Sequence, residues 1–108
     1  MLDVGTEIKE YLSSKKIIIA DFWAEWCIPC KAVDDAIKRI IPFFKNSEDI
    51  VFLRINVDEH PDIAADFEVF NLPTVIVFFN GKEVERITTP HGLESKMFKI
   101  IKNLLKNL

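Results

Sequence analysis

Cys27 and Cys30 are the only cysteines in the chain, and they stand three residues apart. A thiolate can attack a disulfide, bind a metal or simply pack as a small apolar group, so three readings open for such a pair. Four-coordinate zinc needs two further ligands, and the only histidines, His60 and His91, lack the close spacing that completes a Cys–His site. No metal is therefore expected. An inert buried pair remains the bland alternative. In a reducing compartment a lone Cys-x-x-Cys is more often catalytic than structural, which makes thiol–disulfide exchange the leading chemistry.

What turns this pair into a redox centre is its setting. Lys16 to Trp23 is β-branched and almost continuously apolar, the pattern of a strand covered on both faces in a parallel sheet. After the cysteines, Val33, Ile37, Ile40, Ile41 and Phe44 mark one face of a helix that contains or ends at Pro42, where a proline should kink or stop it. Cys27 thus falls at a helix start, where unpaired backbone N–H groups and the helix dipole favour an anion. A thiolate stabilised there is a nucleophile near neutral pH, and Cys30, one turn further in, is placed to attack a mixed disulfide from behind. Pro29 suits the first helical turn, where a missing N–H is harmless. Asp21 interrupts the apolar strand. If buried it should hold its proton more tightly than usual, and it could then exchange that proton with Cys30 through a water. An Asp exposed at a frayed strand end is the alternative.

The remaining elements follow from periodicity. Val4, Ile8, Tyr11 and Leu12 recur at helical spacing and suggest a first helix ending near Ser13-Ser14-Lys15-Lys16. Ile50 to Val57 reads as a second strand, so strand, helix, strand implies a right-handed parallel crossover. Asp58 to Phe70 reads as a loop and short helix that turns Ile63, Ala64 and Phe67 inward. Thr74 to Phe79 and Glu83 to Thr88 read as strands joined by Asn80-Gly81, a hairpin signal because both residues tolerate positive φ. Leu93, Met97, Ile100, Ile101, Leu104, Leu105 and Leu108 form the stripe of a closing helix. The expected architecture is one domain spanning residues 1–108, a three-layer α/β/α stack around a mixed four- to five-stranded sheet.

Composition narrows the function classes. The chain is 49% hydrophobic and carries a net charge of −3 with no basic block, which supplies a core and argues against a nucleic-acid partner. The first residues lack the basic and apolar regions of a signal peptide, and no apolar run is long enough for a membrane span. A soluble cytoplasmic monomer is the expectation.

The segment Asp21-Phe22-Trp23-Ala24-Glu25-Trp26-Cys27-Ile28-Pro29-Cys30-Lys31 closely resembles the active-site segment of thioredoxins. Arg54-Ile55-Asn56-Val57-Asp58 is similar to the family's central strand, Leu72-Pro73-Thr74 to its cis-proline loop and Asn80-Gly81 to its hairpin. The resemblance implies the thioredoxin fold and a protein-disulfide reductase. Cys27 would be its exposed nucleophile and Cys30 its buried resolving thiol, with no cofactor beyond the Cys27–Cys30 disulfide and a thioredoxin reductase-type electron donor. It further implies that Pro73 is cis and faces the disulfide, and that Leu72 offers its backbone to an extended substrate segment. Trp26, Ile28, Pro29, Leu72 and Pro73 would then form an apolar substrate-binding rim around the Cys27 sulfur, while Trp23 packs behind it.

Departures from the family pattern bear on specificity. Ile28 stands where thioredoxins usually have glycine, and no histidine lies between the cysteines, so a reducing potential is expected and Ile28 would stiffen the loop or narrow the substrate range. Arg54 stands where a lysine is frequent; it can stabilise a carboxylate but cannot shuttle a proton. Asp35 occupies the position of a helix-kinking proline. Thr88-Thr89-Pro90-His91-Gly92 replaces a glycine-centred loop, with His91 either a recognition residue or a plain loop histidine. The edge strand would be reduced to Leu2–Val4 or missing. A dedicated redox partner, a glutaredoxin-like variant using glutathione, and a binding module on the same scaffold are the competing functions.

Overall fold

The computed structural model describes residues 1–108 and gives the order β1 (Leu2–Asp3), α1 (Ile8–Ser14), β2 (Ile17–Trp23), α2 (Ile28–Ile40), β3 (Ile50–Asn56), α3 (Pro61–Asp66), β4 (Thr74–Phe79), β5 (Lys82–Ile87) and α4 (Leu93–Lys106). The strands form one sheet in the order β1-β3-β2-β4-β5. β3 runs parallel to β1 and β2, whereas β4 runs antiparallel to β2 and β5. This is the three-layer arrangement around a mixed sheet that the apolar runs imply.

Alternation along β2 decides what each face of the sheet meets. Ile18, Ala20 and Phe22 point to one side, where they pack with Ile8 of α1 and with Ile63 and Ala64 of α3. Ile17 and Ile19 point to the other, where they meet Val33, Ala36, Ile37 and Ile40 of α2 and Leu93, Met97 and Ile101 of α4. The period of two places Asp21 and Trp23 on this second side, beneath α2. β2 is therefore apolar on both faces because helices cover both, and Asp21 is the one charged residue within it.

Several boundaries differ from the sequence expectation. Val4 is buried, but it follows directly on β1 and lies outside the first helix; its N–H donates to the Arg54 carbonyl at 2.9 Å. Gly5 breaks the apparent periodicity, because the His60 imidazole lies where a Cβ would stand. The edge strand is thus present but only two residues long. Asn80 and Gly81 both adopt positive φ, 52° and 82°, and this tight turn starts β5 at Lys82 rather than at Glu83. Pro42 stops the helix rather than kinking it: α2 ends at Ile40 and a 3₁₀ turn, Ile41–Phe43, follows. Leu108 lies past the end of α4 and is exposed.

A candidate redox site

The end of β2 delivers the chain to the site. After Trp23, a turn closed by the Cys27 N–H on the Ala24 carbonyl at 3.1 Å places Cys27 as the residue capping α2. Pro29 lies in the first turn of α2. Cys27 and Cys30 are joined as a disulfide with their Cα atoms 5.4 Å apart. Ala24 packs with them, and Trp23, Val57 and Leu72 cover the cluster from the neighbouring elements. The expectation of an exposed Cys27 and a buried Cys30 needs correcting for this disulfide form. Cys27 is only 4% exposed and Cys30 3%, because each sulfur shields the other inside the same apolar cover. Access comes instead from one side, where both cysteines line an open cavity of about 420 Å³ together with Trp23, Lys31, Asp34 and Arg54.

Asp21 is fully buried, so the frayed-strand alternative falls away. Neither carboxyl oxygen has a hydrogen-bond partner. Burial first, then repulsion from Asp34, raises its pKa to about 7, against a smaller lowering by Arg54. A carboxyl tuned there can both take up and give back a proton near neutral pH.

Arg54 is the strand neighbour of Asp21 in the β2–β3 register, yet it forms no ion pair with it. Its Nε lies 3.1 Å from Asp34 Oδ1, too bent for a hydrogen bond, and its Nη1 donates to Asp3 Oδ1 at 3.4 Å. The guanidinium carbon sits 4.1 Å over the Trp23 ring, a cation–π stack that also covers the indole. Asp34 was not singled out from the sequence. Its signal was there, since a residue four positions after Cys30 lies above it on the same face of α2.

The expected substrate rim is only partly assembled. Trp26 is 67% exposed, and its indole N–H donates to Asp58 Oδ2 at 2.9 Å. Asp58 is itself set by a tight turn in which Asn56 Oδ1 accepts the backbone N–H groups of Asp58 and Glu59. Trp26 and Leu72 line a shallow depression with Val57, Val69, Phe70 and Asn71. Ile28, 81% exposed, and Pro29 stand at the start of α2 outside that depression. The Leu72–Pro73 peptide is cis, Pro73 is buried, and Leu72 packs on the cysteine cluster. The loop is closed by Thr74 Oγ1 donating to the Asn71 carbonyl at 2.6 Å. Phe70, 77% exposed, was missed by the sequence reading, although an aromatic outside any apolar stripe and two residues before Leu72 was a usable signal. His91 is exposed and lines neither the cavity nor the depression.

A bonded cysteine pair at a strand-to-helix turn, with a buried carboxyl in the strand that leads to it, defines the class: a protein built for dithiol–disulfide exchange. The thioredoxin family model matches residues 3–103, and the chain belongs to the thioredoxin family. It is 41% identical over 80 residues to the thioredoxin of Mycoplasma genitalium, covering 74% of this chain and 76% of that protein. It is 33% identical over 99 residues to a thioredoxin of Mycobacterium tuberculosis, covering 92% and 83%. The fold superposes on the oxidised mitochondrial thioredoxin 3 of Saccharomyces cerevisiae with a TM-score of 0.82 at 28% identity, covering 95% of this chain and 94% of that one. The protein is accordingly a thiol–disulfide oxidoreductase, a protein-disulfide reductase that works through a redox-active cysteine pair. No helix is long and apolar enough to cross a membrane.

Proposed function

We propose that Cys27 is the attacking thiolate, Cys30 the resolving thiol and Asp21 the proton partner of Cys30. The Cys27 thiolate bonds to one sulfur of a substrate disulfide and expels the other as a thiolate. Cys30 then loses its proton to Asp21, attacks the Cys27 sulfur and releases the second substrate thiolate. Two electrons have passed to the substrate, and the Cys27–Cys30 disulfide is left for a reductase to reduce again. The observation that carries this reading is the position of Cys27 as the cap of α2, where the dipole favours its anion, with Cys30 one turn inside. The raised pKa of the buried Asp21 supports its role.

Trp26, Ile28, Pro29, Leu72 and Pro73 form the docking rim for an extended substrate segment, with Phe70 beside them; the exposure of Trp26, Ile28 and Phe70 supports this. The electron donor is a thioredoxin reductase-type enzyme. A relative from Mycobacterium leprae, 33% identical over 99 residues, is named a bifunctional thioredoxin reductase/thioredoxin, which supports that pairing. The 108 residues work as a single unit, monomeric in a cytoplasmic thiol pool. With no histidine between the cysteines, the pair sits on the reducing side of the family's range.

Reduction of insulin disulfides tests the roles. Cys27→Ser should abolish turnover and Cys30→Ser should accumulate a mixed disulfide; retained turnover in Cys27→Ser would overturn the assignment. A narrower range, as for a dedicated redox partner, is favoured by one observation: the large, β-branched and almost fully exposed Ile28. Ile28→Gly should then widen the set of disulfides reduced, and recharging by glutathione alone would displace the reductase reading.

A further inference from the structure

Arg54 and Asp21 are register partners on neighbouring parallel strands, so their side chains leave the same face of the sheet side by side. Opposite charges placed this way ordinarily pair. Here they do not. The guanidinium is engaged by Asp34 at 3.1 Å, by Asp3 at 3.4 Å and by the Trp23 ring at 4.1 Å, while both oxygens of Asp21 lack any hydrogen-bond partner. Asp34 is in turn held from its other side by Lys38 at 3.0 Å, four residues along α2. The side chains of Arg54 and Asp34 are only 22% and 15% exposed, so solvent screens their pairing far less than it would a surface ion pair.

We propose that Asp34 is a positioning residue of the redox centre: it holds the Arg54 guanidinium against its own carboxylate and the Trp23 indole, keeps that cation off Asp21, and so leaves Asp21 free to exchange a proton with Cys30. This rests on the reading of Asp21 as the proton partner of Cys30. A carboxylate locked into an arginine pair stays ionised well below neutral pH and cannot return a proton. The charged groups reaching Asp21 are Asp34 from α2 and Arg54 from β3; its partner on β4 is Val75. Asp34 thus acts on Asp21 twice, directly as a like charge and indirectly by detaining the one cation that would pair with it. The complete burial of Asp21 and its unpartnered oxygens support the indirect route.

The test is the carbon-13 titration of the Asp21 carboxyl in the oxidised full chain, where neither thiol titrates. Four proteins are compared: the natural chain, Asp34→Asn, Arg54→Met and the double variant. Asp34→Asn should move the Asp21 midpoint about one pH unit lower, as a released Arg54 turns to it. The same substitution in the Arg54→Met background should move it less. An unmoved midpoint overturns the proposal. So does a fall as large or larger without Arg54, because direct repulsion alone would then account for Asp34. The titration needs no turnover, and the acid–base reading is judged separately by the pH–rate profile of Asp21→Asn, so the two can fail independently.

Discussion

Asp21→Asn should stabilise the folded protein above neutral pH and do so less and less as the pH falls. A carboxyl with a folded-state pKa of about 7 against an ordinary value of 3.8 binds its proton more tightly in the folded chain than in the unfolded one. The folded state then gains relative stability below 3.8 that is lost as pH rises to about 7. Each unit of that interval is worth about 1.4 kcal/mol, so ionising Asp21 inside the fold costs on the order of 4 kcal/mol over the whole window. Asparagine removes the titration. Its amide brings buried donors where the Asp21 oxygens already lack partners, a constant penalty of about 1–3 kcal/mol.

That penalty cancels when the two proteins are compared at two pH values. Reversible urea unfolding of the oxidised natural chain and of Asp21→Asn, at about pH 5 and about pH 8, isolates the titration. The stability difference should shift in favour of the variant by about 2.5 kcal/mol between those two conditions. A difference that is the same at both would refute the reasoning, because Asp21 would then not be holding its proton in the folded state. In the same pair of proteins, the variant should reduce disulfides more slowly near neutral pH and lose the limb of the rate profile that follows Asp21.

Three further substitutions probe what holds the site in place. Arg86 on β5 donates to the Phe67 and Glu68 carbonyls at 2.7 and 2.9 Å while Glu83 grips its other edge, so Arg86→Ala should lower stability by about 1–2 kcal/mol and speed hydrogen exchange over residues 67–72. Gly5→Ala drives a Cβ into the His60 ring and should cost about 1 kcal/mol in urea unfolding, a cost that disappears in a His60→Ala background. Phe70→Ser removes an exposed aromatic from the depression beside Leu72, so stability should stay within about 0.5 kcal/mol while KM for insulin rises several-fold; an unchanged KM would take Phe70 out of the docking rim.

The fold was legible wherever one residue type settles one local question. The β-branched run of β2 requires cover on both faces, Asn80-Gly81 requires a tight hairpin, and Pro42 requires an end to α2. The places of Cys27, Cys30 and Asp21 were legible for the same reason: a cysteine pair at a strand-to-helix turn and a charge inside an apolar strand are conspicuous in one dimension. Val4 misled because its spacing to Ile8 fits a helix, while the contact that breaks the helix is made by Gly5 with His60, fifty-five residues away in the numbering. Leu108 misled because the apolar periodicity continues past Lys106, where α4 ends, and the last leucine is left exposed.

What stayed hidden is a choice between partners. Arg54 has carboxylates on three elements within reach of its strand position: Asp21 on β2, Asp3 on β1 and Asp34 on α2. Residue types alone favour Asp21, which is buried and unpaired and would gain most from a cation. The arginine prefers Asp34 because that site leaves it partly solvated, lets it stack on Trp23 and spares it the desolvation that a fully buried pair would demand. The balance of solvation, stacking and charge is set only after the sheet and α2 have closed on each other. It also explains how a chain can keep an arginine in the place of a lysine without quenching its buried acid: the fixed charge is tolerable because a second carboxylate draws it aside.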